Sequence, residues 1–214
     1  ASHSYGRENE KGKEEEGKEQ GKDRINVLRK GIDSLYLSYQ GEITDSVELA
    51  LMDAKQYAQS RRREELSLAQ YVVNGHLFEV KPGRQGLFPY ILEDGSYRIS
   101  LSSSHSRKLP FAYCKISSDL LAHKLPEVAE GELSEVLNEL AGEFELFPTV
   151  SRVDLFVDFR TTADIGEFHR EAWVTRAGGV DAYSRQGQFS GWVVGPGGPI
   201  SARLYDKTLE IHQK

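Results

Sequence analysis

The sequence predicts an α+β fold in which an antiparallel sheet carries helices packed on one face, preceded by a disordered charged N-terminal tail. Three observations lead there. Apolar and polar residues alternate over residues 32–39 and again over 151–159, the period of a half-buried strand. Between 71 and 116 the chain breaks into short strand-like runs separated by turn residues, as in an antiparallel meander. Two apolar sets recur at helical spacing, Val47, Ala50, Leu51, Ala54 and Ala58, then Leu133, Val136, Leu137, Leu140, Ala141 and Phe144.

The tail is residues 1–24, mostly Glu, Lys and Gly, with six basic residues against seven acidic and only Ala1 and Tyr5 apolar. Such a segment has too little apolar surface to offset the entropy of ordering. Residues 25–214 are then expected to form one domain. The hydrophobic fraction of 38%, with 10 Tyr and 9 Phe, is enough for a core. The lone Cys114 excludes an internal disulfide framework and a cysteine-rich zinc site, and fits a reducing cytoplasm. No apolar run approaches the roughly 20 residues that span a bilayer. The charged N-terminal stretch is unlike a signal peptide. A net charge of -6 argues against binding polyanions through a bulk positive field. It leaves room for a local basic surface around an acidic centre.

Each element follows from local signals. Residues 32–39 form the first strand. Asp45 is expected to cap a helix from 46 to about 64, with Glu48 completing a capping box. The run Arg61-Arg62-Arg63 falls at that helix's end, where the dipole favours cations; a DNA phosphate contact is the alternative. Strands are expected at 71–80, 87–93, 96–103 and 110–116, turned at Pro82–Gly86 and Glu93–Gly95. Their loops carry Lys81, Arg84, Arg107 and Lys108, candidate phosphate contacts. Ser118 or Asp119 opens a short helix, a longer one follows, and Pro148 separates it from the next strand. Asp164 is placed to cap a helical turn. A glycine-rich stretch then leads into strands at 189–195 and 199–205 around Gly195-Pro-Gly-Gly-Pro199.

The acids are the residues that point to chemistry. On a strand Asp154, Phe156 and Asp158 share a face, which sets two carboxylates roughly 7 Å apart. They repel unless a cation or an arginine lies between them. Arg152, Val153, Leu155, Val157 and Phe159 are read as mostly packing residues on the other side. Downstream, Arg203-Leu-Tyr-Asp-Lys-Thr-Leu-Glu210 puts Asp206 and Glu210 on one helical face, flanked by Lys207. Four such carboxylates suit Mg²⁺ or Mn²⁺, hard ions that take oxygen ligands and polarise a phosphodiester. Structural ion pairs at a sheet end are the competing reading. Tyr205 is either a core-edge aromatic or a reactive hydroxyl. The chain has no His-x-His pair, no phosphate loop ending in Gly-Lys-Ser/Thr and no nucleophile elbow.

Gly31-Ile-Asp-Ser-Leu, Ser151-Arg-Val-Asp-Leu-Phe-Val-Asp-Phe159, Gly191-Trp-Val-Val-Gly and Ser201-Ala-Arg-Leu-Tyr-Asp-Lys-Thr-Leu-Glu210 occur in this order. In order and wording they resemble the replication initiation factor family, the trans-acting Rep proteins of rolling-circle plasmids, phages and related conjugative relaxases. The resemblance spans roughly residues 31–210, and the Arg-x-Tyr-Asp-Lys-x-x-Glu block is its most specific part. It implies a metal-dependent nickase that cuts origin DNA, single-stranded or in a hairpin, through a tyrosine-linked 5′ phosphate. By motif, Asp154 and Asp158 or a subset of them, with Asp206 and Glu210, would bind Mg²⁺ or Mn²⁺. Arg203 and Lys207 would face phosphate, with Arg152 beside them on the DNA and Lys207 and Tyr205 the catalytic candidates. In that family the attacking tyrosine follows the Asp-Lys-x-x-Glu block, so the chain is expected to be truncated before it. The alternative is a non-catalytic origin-binding module that recruits a host helicase. A homodimer stays open, and no membrane contact is expected.

Overall fold

A computed structural model describes residues 25–142, 145–185 and 187–212. The tail 1–24 and Phe144 lie outside the described residues. In chain order the elements are β1 (Asn26–Tyr39), α1 (Asp45–Ala58), α2 (Arg63–Leu66), β2 (Gln70–Val73), β3 (His76–Val80), β4 (Tyr90–Glu93) and β5 (Tyr97–Leu101). There follow β6 (Ala112–Ile116), α3 (Ser118–His123), α4 (Pro126–Ala141), β7 (Pro148–Arg160), β8 (Val180–Arg185), β9 (Gln188–Val194), β10 (Ala202–Tyr205) and α5 (Lys207–His212). The fold is α+β, as the sequence predicts. The chain divides into two compact units, Val27–Asp158 and the segment from Phe159 onward. Among the described residues no helix is long and apolar enough to cross a membrane.

The larger unit is built on a seven-stranded sheet in the order β2-β3-β4-β5-β6-β1-β7. Four consecutive hairpin-type connections make the meander, and β1 then inserts between β6 and β7. β1 pairs antiparallel with β6, Leu37 opposite Cys114 and Tyr39 opposite Ala112. Alternation sends Leu35, Leu37 and Tyr39 of β1, Tyr97, Ile99 and Leu101 of β5, and Ala112, Cys114 and Ile116 of β6 to one face. There they meet Leu51 and Ala54 of α1 and Leu133, Leu137 and Leu140 of α4. The intervening residues, Tyr36, Ser38, Arg98, Ser100, Tyr113 and Lys115, occupy the opposite face.

Three expectations are corrected by local chemistry. Thr44, not Asp45, is the N-cap of α1; its hydroxyl accepts from the Val47 amide at 3.4 Å. Glu48 is thereby released from a capping box and accepts from the Tyr90 hydroxyl at 3.2 Å and the Ser104 amide at 3.0 Å. The first helix stops at Ala58, so the arginines are not its last turn. Arg62 instead starts α2 and pairs with Glu65 at 3.0 Å. The single strand expected over 71–80 is a hairpin, β2 and β3, turned at Asn74-Gly75. Both turn residues have positive φ, 45° and 76°, as a tight hairpin turn demands.

The α4 signals hold. Pro126 occupies its first turn, Leu133, Val136, Leu137, Leu140 and Ala141 are buried, and Gly142 ends it in a left-handed conformation. Gly142 also sits where a methyl would press on the Thr44 side chain at 3.0 Å. The Thr44 amide donates to the Leu140 carbonyl at 3.3 Å, so the end of α4 and the start of α1 are tied at one point.

The second unit contains a three-stranded antiparallel sheet in the order β10-β9-β8. Asp164 caps a 3₁₀ turn as expected, accepting from the Gly166 amide at 2.8 Å. The expected strand pair is β9 and β10, and Gly195 and Gly197 in its turn both have positive φ. β8 went unforeseen because Gly178-Gly179 masks its start; the Gly179 carbonyl in fact accepts from the Gly195 amide at 2.9 Å. Trp173, Phe189 and Trp192 pack edge to face or tilted within this unit, with centroids 5.7–5.9 Å apart. The Trp192 indole donates to the Ile165 carbonyl at 3.0 Å.

Leu137 is fully buried between α4 and the sheet. Leu137→Ala is expected to cost about 2–5 kcal/mol through lost burial and a residual cavity. Urea unfolding should show a lower midpoint with an unchanged m value.

Candidate functional site

β7 is the edge strand beside β1, and its side-chain contacts with β1 run in opposite order along the two strands. Arg29 meets Asp158, Gly31 meets Phe156, Ser34 meets Asp154 and Ser38 meets Ser151. The row therefore lies across an antiparallel pair. Arg29 and Gly31 are odd-numbered and Ser34 and Tyr36 even, yet all face this row. β1 thus carries one extra residue between Gly31 and Ser34, a bulge that turns its side chains by one position. Gly31 has a further reason to be glycine: a methyl there would sit 3.1 Å from the Phe156 ring.

Asp154, Phe156 and Asp158 do share a face, and that face is half-buried. Arg152 joins the same row instead of packing on the other side. Its Nε donates to Asp154 Oδ1 at 2.7 Å, while Ser34 Oγ donates to Asp154 Oδ2 at 2.8 Å. Arg29 Nε donates to Asp158 Oδ2 at 2.6 Å. The two guanidiniums also lie over aromatic rings, Arg152 over Tyr36 and Arg29 over Phe156, each 5.3 Å from the ring centroid. Repulsion between the carboxylates is thus relieved by arginines from β7 itself and from β1. The expected packing residues Val153, Leu155 and Val157 are exposed, Leu155 by 74%.

Burial pushes the Asp154 carboxyl up, but the hydrogen bonds from Arg152 and Ser34 and the nearby Arg152 and Lys115 charges outweigh it. The group is held below the ordinary aspartate value. The Tyr113 hydroxyl is raised, chiefly by burial and then by Tyr36, with Arg152 opposing. These directions show that Tyr36, Tyr113, Lys115, Arg152 and Asp154 form one electrostatic cluster.

The other predicted segment belongs to the second unit. Arg203 and Tyr205 alternate along β10, opposite Val193 and Gly191 of β9. Gly191 is also paired with Tyr183 of β8. A methyl on Gly191 would run into the Leu204 carbonyl oxygen and lie 2.8 Å from both the Tyr183 hydroxyl and Tyr205 Cβ. The glycine therefore lets two tyrosines flank the middle strand. Asp206 follows the strand, its amide donating to the Ser190 carbonyl at 3.2 Å. Its Oδ1 accepts from the amides of Thr208 and Leu209 at 2.8 and 3.4 Å, capping α5. Lys207 is exposed at the first position of α5. Glu210 lies on α5, its side chain outside those described.

The loop cations divide in two. Lys81 is engaged by Glu79 at 2.7 Å and Glu93 at 3.4 Å, which raise its pKa. Arg84, Arg107 and Lys108 are exposed, on the β3–β4 and β5–β6 connections. Both connections lie at the end of the sheet where β3 and β5 finish. Sequence reasoning missed Arg29, Tyr36, Phe88, Tyr113 and Lys115. The available signal was Tyr36 and Ser38, then Tyr113 and Lys115, at alternate positions of strands whose other residues are apolar.

Among the described residues no group of three or more His, Cys, Asp or Glu side chains could hold a metal. Asp154 gives its oxygens to Arg152 and Ser34, Asp158 one oxygen to Arg29, and Asp206 one to two amides, and an ion would have to compete with these partners. Comparison with protein-family models, with curated proteins and with solved structures finds no match to this chain.

Because the Asp154 pKa is depressed on folding, its stabilisation is present above the ordinary aspartate range and is lost as pH falls through the folded value. Asp154→Asn should cost no more than about 1 kcal/mol near neutrality. It should also flatten the fall of stability below roughly pH 4, followed by urea titration at several pH values. Gly191→Ala is expected to unpair β9 from β10, seen as faster hydrogen exchange at the Asp206 amide.

Proposed function

We propose that the chain is the DNA-handling part of a replication initiator of the rolling-circle kind, a site-specific nickase and strand transferase. The observation that supports this reading is the block Arg203-x-Tyr205-Asp206-Lys207-x-x-Glu210, which forms a strand, an aspartate cap and a helix after a glycine hairpin. It follows the Arg152-Val-Asp154 strand by about fifty residues. In the reaction a tyrosine oxygen attacks phosphorus, the P–O3′ bond breaks, and the strand leaves with a free 3′ hydroxyl for a polymerase. The tyrosine keeps the 5′ phosphate as a phosphodiester, so a second hydroxyl can reverse the step and rejoin the DNA. Within the block Tyr205 is the candidate, with Arg203 and Lys207 supplying positive charge to phosphate. The reading calls for Mg²⁺ or Mn²⁺. Binding one at Asp154, Asp158 or Asp206 would require those carboxylates to exchange their guanidinium and amide partners for the ion.

The second reading is an origin-DNA-binding module without catalysis that recruits replication proteins such as a helicase. The arginine pairing of Asp154 and Asp158 favours it, because a carboxylate already neutralised has less to offer a cation.

Labelled single-stranded and hairpin oligonucleotides of mixed sequence, incubated with the chain and Mn²⁺, separate the two on denaturing gels. A covalent adduct that disappears in Tyr205→Phe supports the transferase. Retention of the oligonucleotides without adduct, both in this chain and in a protein extended past Lys214, supports the module. Neither retention nor adduct overturns both readings.

A further inference from the structure

The face of the seven-stranded sheet turned away from α1 and α4 bears a continuous set of rings and cations that the block at Arg203–Glu210 does not use. Phe88, on the connection before β4, lies near-parallel to Tyr113 of β6, with centroids 6.2 Å apart and planes at 26°. Tyr113 lies beside Tyr36 of β1 at 6.0 Å and 31°. Tyr36 is covered from β7 by the Arg152 guanidinium and from β6 by Lys115 Nζ at 5.7 Å. The Arg29 guanidinium over Phe156 extends the row toward the far end of β1. Four structural segments thus each contribute a flat group or a cation, and the rings are half-exposed.

An ordinary cross-strand aromatic ladder stabilises a sheet and needs no ligand. Two features go beyond that. The side chains of Arg29 and Arg152 are 63% and 62% exposed, so both stay open to solvent although each is paired. Arg29, Arg152 and Arg98 are balanced by Asp158, Asp154 and Glu93, but Lys115 forms no salt bridge among the described residues, nor does Arg84. Arg84 is exposed beside Gln85, whose side-chain oxygen accepts from Ser100 Oγ at 2.9 Å. Half-exposed rings with cations beside them match unstacked bases on a phosphate backbone, since every base has a π-face and duplex DNA hides it.

We propose that this sheet face binds single-stranded nucleic acid, stacking bases on Phe88, Tyr113 and the Arg152 and Arg29 guanidiniums while Lys115 meets phosphate. It rests on the initiator reading only for the sugar, DNA rather than RNA.

The test is fluorescence anisotropy of the whole chain with fluorescein-labelled oligo(dT) of about twenty nucleotides, the same strand in a duplex, and oligo(U). Oligo(dT) should bind more tightly than the duplex. Tyr113→Leu, which keeps apolar bulk but removes the ring, should weaken it roughly tenfold with an unchanged circular dichroism spectrum. Lys115→Gln should lower the slope of log K against log salt by about 0.7. Absence of oligo(dT) binding at low salt, duplex binding as tight as single-strand binding, or indifference to both substitutions would each overturn the proposal. Oligo(dT) bound through Tyr113 and Lys115 would support this surface whether or not a covalent adduct forms, so it is judged apart from the transferase reading. Preference for oligo(U) would keep the surface and assign it to RNA.

Discussion

Alternation along β1, β5 and β6 gives each residue of these strands to one of two environments, and the rest of the larger unit depends on that division. Odd positions of β1 beyond the bulge carry Leu35, Leu37 and Tyr39 into the buried apolar cluster with α1 and α4. The even positions are then obliged to face the other way, which is where Tyr36 and Ser34 meet β7. A one-residue slip would exchange the two sets, so the register of β1 against β6 sets both the core and the polar face. The tie between Thr44 and Leu140 at Gly142 fixes the helices over that core, and the opposite face keeps the groups that could meet a ligand.

On that face the acids of β7 are stable because each is answered by a guanidinium, a solution the spacing alone left open. Arg152 is the nearest residue on the same row and reaches Asp154 within its own strand. Arg29 reaches Asp158 only because β1 runs alongside and bulges between Gly31 and Ser34. Pairing of this sort keeps a carboxylate ionised and positions the arginine at least as firmly as the acid. The guanidiniums of the row are thereby oriented by their acids and lie over the Tyr36 and Phe156 rings.

The second unit applies the same economy to a shorter sheet. Gly191 makes room for Tyr183 and Tyr205 on either side of β9, and Asp206 ends β10 by capping α5. A residue that caps a helix turns its oxygen toward the amides, and Asp206 does so toward those of Thr208 and Leu209. The motif's residues are all present on a strand, a cap and a helix, and the cap explains the aspartate without recourse to an ion.

Much of this was legible from sequence because it depends on neighbours a few residues apart. The strand at 32–39, the stripe of α4, the turn residues, the Asp164 cap and the hairpin at 195–199 are all local patterns, and Asn74-Gly75 was an equally local signal left unread. The boundary of α1 was misjudged because Thr44 and Asp45 are both good caps, and only the contacts of Glu48 with Tyr90 and Ser104 decide between them. What no local pattern contains is which strands lie side by side. That β1 is inserted between β6 and β7 brings Arg29 to Asp158 and Tyr36 to Arg152, across 129 and 116 residues of chain respectively. Those pairings arise from burying one face of a whole sheet, a property of the assembled structure, and so the sequence determined the elements while the tertiary structure alone decided which charges met.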